Sequence, residues 1–173
     1  QASPVFSVVH YLQNNSSVLS KCGNHYTAAM LHYYSTGRNT KGLKTAPAAD
    51  LGSKFEATIN HTSANINIGI ASTATNTDNN AWNVQTVAAS DTDAKQIWVF
   101  TRNADGSYTL TNKAYPNAAM DTSGVAIADA TNIATYTNTG VDDEHRHWYF
   151  FERTPGNYVI SPAHSSGKVV DIS

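Results

Sequence analysis

The densest run of reactive side chains is Asp142-Asp143-Glu144-His145-Arg146-His147, carboxylates set beside imidazoles and a guanidinium. Carboxylate next to imidazole is the raw material of general acid–base chemistry, and His145 with His147 would face one side of a strand as a metal pair. No further His or Cys motif at ligand spacing accompanies them, so the run reads as a solvated loop and no metal is assigned. The nucleophile elbow Gly-x-Ser-x-Gly, a phosphate-binding Gly-rich loop and His-Glu-x-x-His are all missing from the sequence. Glycoside hydrolysis needs two carboxyl groups roughly 5 to 9.5 Å apart across a cleft, which nothing in the order of residues supplies. The expectation is a protein with no catalytic residues and no cofactor. The single Cys22 excludes an internal disulfide framework and a multi-cysteine zinc site, and reads as a buried apolar thiol.

Recognition is the chemistry that remains, and composition narrows its partners. Of 173 residues, 14% are charged and 40% hydrophobic, while 17 Asn, 20 Thr and 16 Ser supply the polarity. With 11 basic against 13 acidic residues, the surface has no field to gather along a phosphate backbone, which excludes nucleic acid. No apolar run approaches the 18 or so residues of a membrane span, so no membrane insertion is expected. The chain opens Gln1-Ala2-Ser3-Pro4 without an initiator Met, as matured secreted chains do. It carries the acceptor tripeptides Asn14-Asn15-Ser16, Asn15-Ser16-Ser17 and Asn60-His61-Thr62. An extracellular glycoprotein is the expectation.

The elements that must position any site are short strands. Phe6–His10, Phe55–Ile59, Tyr108–Asn112 and Tyr158–Ile160 alternate apolar and polar residues, and Asp105-Gly106 and Pro155-Gly156 punctuate them as tight turns. Only Tyr26–Tyr34 has a helical period, and it reads equally well as strand. The aromatic-led strands begin at 6, 55, 108 and 158, spacings of 49, 53 and 50. Two more features keep that period: Ala119–Ser123 stands 50 residues before Val169–Ser173, and Gln96–Phe100 stands 50 before Arg146–Phe150. Each unit of about 50 residues is expected to hold four strands: an aromatic-led strand, an apolar strand ending near Asp, a third such as Asn132–Tyr136, and a Trp-x-Phe strand.

This unit, with its Gln-x-Trp element, resembles the ricin-B-type β-trefoil lectins. The resemblance implies an all-β fold, a β-trefoil of three roughly 50-residue four-strand repeats with the first repeat degenerate. Residues 1–52 are then a degenerate repeat or an N-terminal extension, 53–105 a repeat with Gln-x-Trp, 106–156 a repeat with a sugar site, and 157–173 a partial fourth repeat or closing strands. In the opening segment Val18–Ser20, Met30–Tyr34 and Lys41–Leu43 stand for eroded strands, with Leu43 in the place of the core Trp.

The family's shallow sugar site pairs a carboxylate, which accepts vicinal hydroxyls, with an aromatic plane that covers the apolar face of the sugar ring. Carried onto the repeat from Tyr108, the acid falls on Asp121, the stacking ring on Tyr136, and the polar pair before the Trp on His145 and Arg146, where the family has Asn and Gln. The repeat from Phe55 has Gly69 in place of the acid and reads as structural. Asp171 offers a second acid if the chain closes by permutation, with Tyr33 or Tyr34 as its ring. Trp98 and Trp148 are core.

The expected function is a lectin recognising glycans, galactose-type or acidic, through an exposed Asp121 beside Tyr136. Weak single sites would gain avidity from an oligomer or a larger partner protein. His145 and Arg146 predict that an acidic sugar binds better near pH 6 than near 8. Two other readings use the same scaffold: a β-trefoil protease inhibitor acting through loops, and the carbohydrate-targeting part of a larger secreted toxin or glycosidase.

Overall fold

The computed structural model describes residues 5–8, 11–12, 15–37, 51–61, 63–104, 106–125, 128–139, 143–164 and 168–171. Within them the chain is mostly β. The strands are β1 (Val5–Ser7), β2 (Lys54–Thr58), β3 (Ile66–Asn76), β4 (Ala81–Ala88), β5 (Ile97–Arg102), β6 (Tyr108–Asn112), β7 (Ala118–Thr122), β8 (Ile133–Thr137), β9 (His147–Thr154) and β10 (Asn157–Pro162). The helices α1 (Ser16–Cys22) and α2 (Tyr26–Ser35) precede β2.

Alternation does in β6 what it should: Tyr108, Leu110 and Asn112 are buried while Thr109 and Thr111 between them are half-buried. The strand hydrogen-bonds β5, β7 and β9, which makes it the hub of the sheet. From there β7 pairs with β8, β8 with β4 and β4 with β3, all antiparallel, while β2 lies along β5 and β10 along β9. Gly156, at φ +79°, makes the tight β9–β10 turn that Pro155-Gly156 announces.

The core is aromatic. Phe55 stacks on Phe100 at 4.6 Å, and Tyr108 meets Phe150 edge-on at 5.9 Å. Trp98 and Trp148 are fully buried, and each indole N–H finds a carbonyl two strands back: Trp98 Nε1 donates to Ile68 O at 2.8 Å and Trp148 Nε1 to Met120 O at 3.0 Å. A buried indole left without such an acceptor would cost about 1 to 3 kcal/mol. These matched bonds fix the correspondence between the two units: Ile68 answers Met120, so Gly69 answers Asp121.

The opening segment departs from expectation. Val18–Ser20 lies in α1 and Met30–Tyr34 in α2, so these stretches are helices rather than eroded strands. The reason is visible in what they bury. Val18 and Cys22 of α1 are four apart, as are Ala29 and Tyr33 of α2, with Met30 beside Ala29; each set forms one helical stripe. They pack as a second core around Tyr11 and Tyr149, with Tyr33 edge-on to Tyr11 at 5.5 Å. Of Phe6–His10, Phe6 and Ser7 lie in β1, which pairs in parallel with β9, Val5 opposite Phe150, while Val8 is helical and Val9 and His10 lie outside the described residues. Lys41–Leu43, and with it the expected Trp replacement at Leu43, lies outside the described residues, as do Asp105, Asp142, Asn14, Thr62 and Ser165–Gly167.

The closing stretch opens with the strand β10, Asn157–Pro162. Residues 168–171 form no strand, and Val170 N donates to Ile160 O at 2.8 Å. Cys22 is buried and free, as its apolar reading requires. Among the described residues, no helix is long and apolar enough to cross a membrane.

Candidate functional site

Strand β7 runs between β6 and β8 with every residue buried. In register, Asp121 stands opposite Ala134 and Ala119 opposite Tyr136. Residues two apart on a strand share a face, so Asp121 and Tyr136 are diagonal neighbours on one face of the β7–β8 pair. A short 3₁₀ turn, Glu144–Arg146, leads into β9 and brings its side chains over that face.

Arg146 organises what it meets there. Its Nε lies 3.2 Å from Asp121 Oδ2 and its Nη2 lies 3.1 Å from Asp143 Oδ2. Its guanidinium carbon stands 5.7 Å from the centroid of the Tyr136 ring. His145 adds a second link, Nδ1 at 2.6 Å from Asp143 Oδ1 and Nε2 at 3.8 Å from Asp121 Oδ2. Four residues expected from sequence, Asp121, Tyr136, His145 and Arg146, therefore come together.

One expectation needs correcting. Asp121 does not stand open to solvent; it is 7% exposed, and so is Arg146. The cause is the residue at the family's Gln position. A Gln has no charge to neutralise an acid, whereas the longer Arg146 reaches Asp121 with a charge-assisted bond and lets the strand bury it. Burial pushes the Asp121 carboxyl above the usual carboxylate range, and Asp143 adds to that, while His145, the Arg146 hydrogen bond and the Arg146 charge pull it back. The exposed member is Tyr136, at 41%. The rim beside it is formed by Asp143 and His145, whose side chains are 28% and 18% exposed.

Three buried side-chain atoms have no hydrogen-bond partner among the described residues: Asp121 Oδ1, Arg146 Nη1 and His164 Nδ1. All three belong to this cluster. His164, from the segment after β10, reaches Thr122 Oγ1 with Nε2 at 3.3 Å and meets the His145 ring edge-on at 6.3 Å. An orphaned buried polar atom costs about 1 to 3 kcal/mol, and all three gather around Asp121 and Arg146.

Asp143 and His164 are the members that sequence reasoning missed. Asp143 was legible in the 50-residue period, because it stands where Asp93 stands in the preceding unit, five residues before the Trp. Asp93 caps its 3₁₀ turn by accepting from Lys95 N at 2.9 Å, whereas Asp143 makes no cap bond and turns to His145 and Arg146. His164 carried no signal, lying in a segment whose fold was not anticipated.

The unit from Phe55 is built shut at the corresponding place. A Cβ on Gly69 would meet Lys95 O at 3.1 Å and Gln96 Cγ at 3.2 Å. Gly69 pairs with Gln85 and Asn67 with Val87, so Val87 takes the place of the aromatic ring. Gln96 is consumed internally, accepting from Asn67 Nδ2 and Ser90 N at 2.9 Å each and donating to Ala88 O at 3.1 Å.

Asp171 is exposed. Its suggested rings are occupied elsewhere. Tyr33 is core, and Tyr34 donates to Ala163 O at 2.5 Å while packing edge-on against Tyr149. His147 is buried at the start of β9 opposite Thr109. Among the described residues, no group of three His, Cys, Asp or Glu is placed to hold a metal ion.

Residues 94–173 match the family described as "Ricin-type beta-trefoil lectin domain-like". No curated protein matches the chain by sequence. Among solved structures, the designed threefold-symmetric protein ThreeFoil is similar with TM-score 0.56 and 19% identity, over 69% of this chain and 79% of that one. A mosquitocidal holotoxin is similar with TM-score 0.59 and 14% identity, over 75% of this chain but 15% of the toxin. An exo-beta-1,3-galactanase from Clostridium thermocellum gives TM-score 0.50 and 19% identity, over 72% of this chain and 25% of the enzyme. At these identities the likeness to the solved structures is one of fold. Residues 94–173, which hold the whole Asp121–Arg146 cluster, are thus similar to the ricin-type β-trefoil lectin domain.

Proposed function

We propose that this chain is a carbohydrate-binding lectin whose site is the Tyr136 face of the β7–β8 pair, and that it makes and breaks no covalent bond. The observation that carries the reading is the exposed Tyr136 ring beside a charged cluster with unpartnered hydrogen-bonding atoms. The apolar face of a sugar stacks on Tyr136, and its hydroxyls reach Asp143 and His145 at the rim. Beneath the rim, the buried Asp121 acts through Arg146, holding the guanidinium over the ring. Galactose-type sugars are the first class to test.

The test is a glycan array on wild type with Tyr136→Ala and Asp143→Asn in parallel. Binding by the wild type that falls by about tenfold in either variant, as loss of a stacking or charge-assisted contact requires, supports the site. Binding unchanged in both places the site elsewhere.

A second reading concerns context. The same fold makes up 15% of a toxin chain and 25% of a galactanase chain. That supports a module that holds a larger protein at a carbohydrate surface, and the mass of the native product tests it.

A further inference from the structure

The outward face of the sheet does not end at Tyr136. Alternation along β8 puts Asn132, just ahead of the strand, with Ala134 and Tyr136 on one face, while Ile133 packs against the core and Thr135 is buried on the other. Ala134 stands opposite Asn83 of β4. In β4 the alternation repeats: Trp82 and Val84 turn to the core, and Asn83 and Gln85 turn away from it. Asn83 is half-buried, and Asn132 and Gln85 are exposed. Amide side chains therefore continue the Tyr136 face across onto β4. We propose that Asn83 and Asn132 form a second subsite, for a neutral sugar linked to the one on Tyr136, so that the chain recognises an oligosaccharide rather than a single terminal sugar. The inference rests on the lectin reading above.

The argument is one of spacing and of hydrogen-bonding capacity. Asn83, beside Ala134, lies about 7 Å along β8 from Tyr136 and one strand, about 5 Å, across. That is too far for a sugar stacked on the ring and within reach of the next sugar in a chain. Asn132 Nδ2 donates to Asn83 Oδ1 at 2.8 Å. Each amide spends one group on that bond and keeps the other, Asn83 its Nδ2 as a donor and Asn132 its Oδ1 as an acceptor. A donor beside an acceptor complements two vicinal hydroxyls, one accepting and one donating. None of Asn83, Gln85, Asn132 and Ala134 carries a charge, so selection here is by the placement of hydroxyls.

Other bonds hold β4 against β8, so the amide pair is not needed for that. Asn80, in the left-handed region at φ +50°, donates from Nδ2 to Thr137 Oγ1 at 3.2 Å, and its carbonyl accepts from Thr135 Oγ1 at 2.8 Å. Trp82 N donates to the same Thr135 hydroxyl at 3.0 Å. The Asn83–Asn132 bond lies at the surface instead, where water competes for it and it adds little to stability. Its effect is to fix the two amides side by side before a ligand arrives, which lowers the ordering cost of binding.

The experiment is titration calorimetry of the full chain with methyl β-galactoside, lactose and the galactose-terminated tetrasaccharide lacto-N-neotetraose. The expected result is that the two longer probes bind about tenfold tighter than methyl β-galactoside, the effect of one or two neutral hydrogen bonds. Asn83→Ala and Asn132→Ala each lose most of that gain while methyl β-galactoside binding persists, which also shows that the variants are folded. Thr137→Val removes a tie between β4 and β8 on the opposite face and keeps the gain, which separates recognition from a loosened strand. Longer probes that bind no tighter than methyl β-galactoside, a gain that survives in both asparagine variants, or a gain lost equally in Thr137→Val overturns the proposal and leaves the lectin reading standing. Binding of none of the three probes removes the galactose-type reading and this inference with it.

Discussion

Arg146 holds two carboxylates at once, Asp121 at 3.2 Å from Nε and Asp143 at 3.1 Å from Nη2, from the position that Gln96 occupies one unit earlier. Removing one partner of a buried pair leaves the other charged and unpaired, at about 3 to 5 kcal/mol. Arg146→Ala should therefore lose stability on that scale. Arg146→Gln should lose less, because Gln96 shows that a Gln at this position satisfies both ends of its amide. Urea denaturation of the two variants measures the difference, and equal losses would mean that the charge of Arg146 is incidental.

The buried carboxyl predicts a pH signature. Burial raises the folded-state pKa of Asp121 above its unfolded value of 3.8, so between the two the folded state holds a proton that the unfolded state has lost. The contribution of this group to stability is fully present below pH 3.8 and is lost as the pH rises through the folded value. The stability of wild type relative to Asp121→Asn should accordingly decrease from pH 4 towards neutrality. Denaturation curves for both proteins across that range check it, and a difference that increases with pH would reverse the assignment.

Tyr136 should separate binding from folding. Its ring is 41% exposed, and surface substitutions of this kind usually change stability by no more than about 0.5 kcal/mol. Trp148, fully buried, is the contrast: Trp148→Ala should cost about 3 to 5 kcal/mol. Thermal unfolding and glycan binding measured on both variants should show Tyr136→Ala losing only affinity and Trp148→Ala losing the fold. A Tyr136→Ala protein that melts like Trp148→Ala would make the ring a core residue.

Much of this was legible because a period is a physical constraint. The Trp148–Met120 and Trp98–Ile68 bonds repeat because the same strand pairing recurs, and the repeat in the sequence already puts Gly69 in the place of Asp121. Tyr108–Asn112 was readable from alternation alone. What escaped lay where local pattern was silent. Val18 and Cys22 face one side only once α1 is wound, and Leu19, exposed between them, gives a strand-like alternation just as well. The depth of Asp121 was hidden for a different reason: sequence showed the Gln-to-Arg change at 146, but only geometry shows the longer side chain turning back on the acid.

The closed unit permits a reciprocal trial. If an acid at the end of the second strand were enough to make a site, Gly69→Asp would install one, since Gly69 answers Asp121 in the Trp-anchored register. The structure predicts otherwise. The new Cβ meets the Lys95 carbonyl at 3.1 Å and Gln96 Cγ at 3.2 Å, and a backbone oxygen cannot step aside as a flexible side chain can. Val87 offers no ring opposite, and Gln96 brings no charge to neutralise a buried carboxylate. Gly69→Asp should therefore destabilise the chain by about 1 to 3 kcal/mol through overpacking, and add no second binding event in a titration with lactose. Stability retained together with a doubled stoichiometry would show that the acid alone makes the site, and that Arg146 and Tyr136 only decorate it.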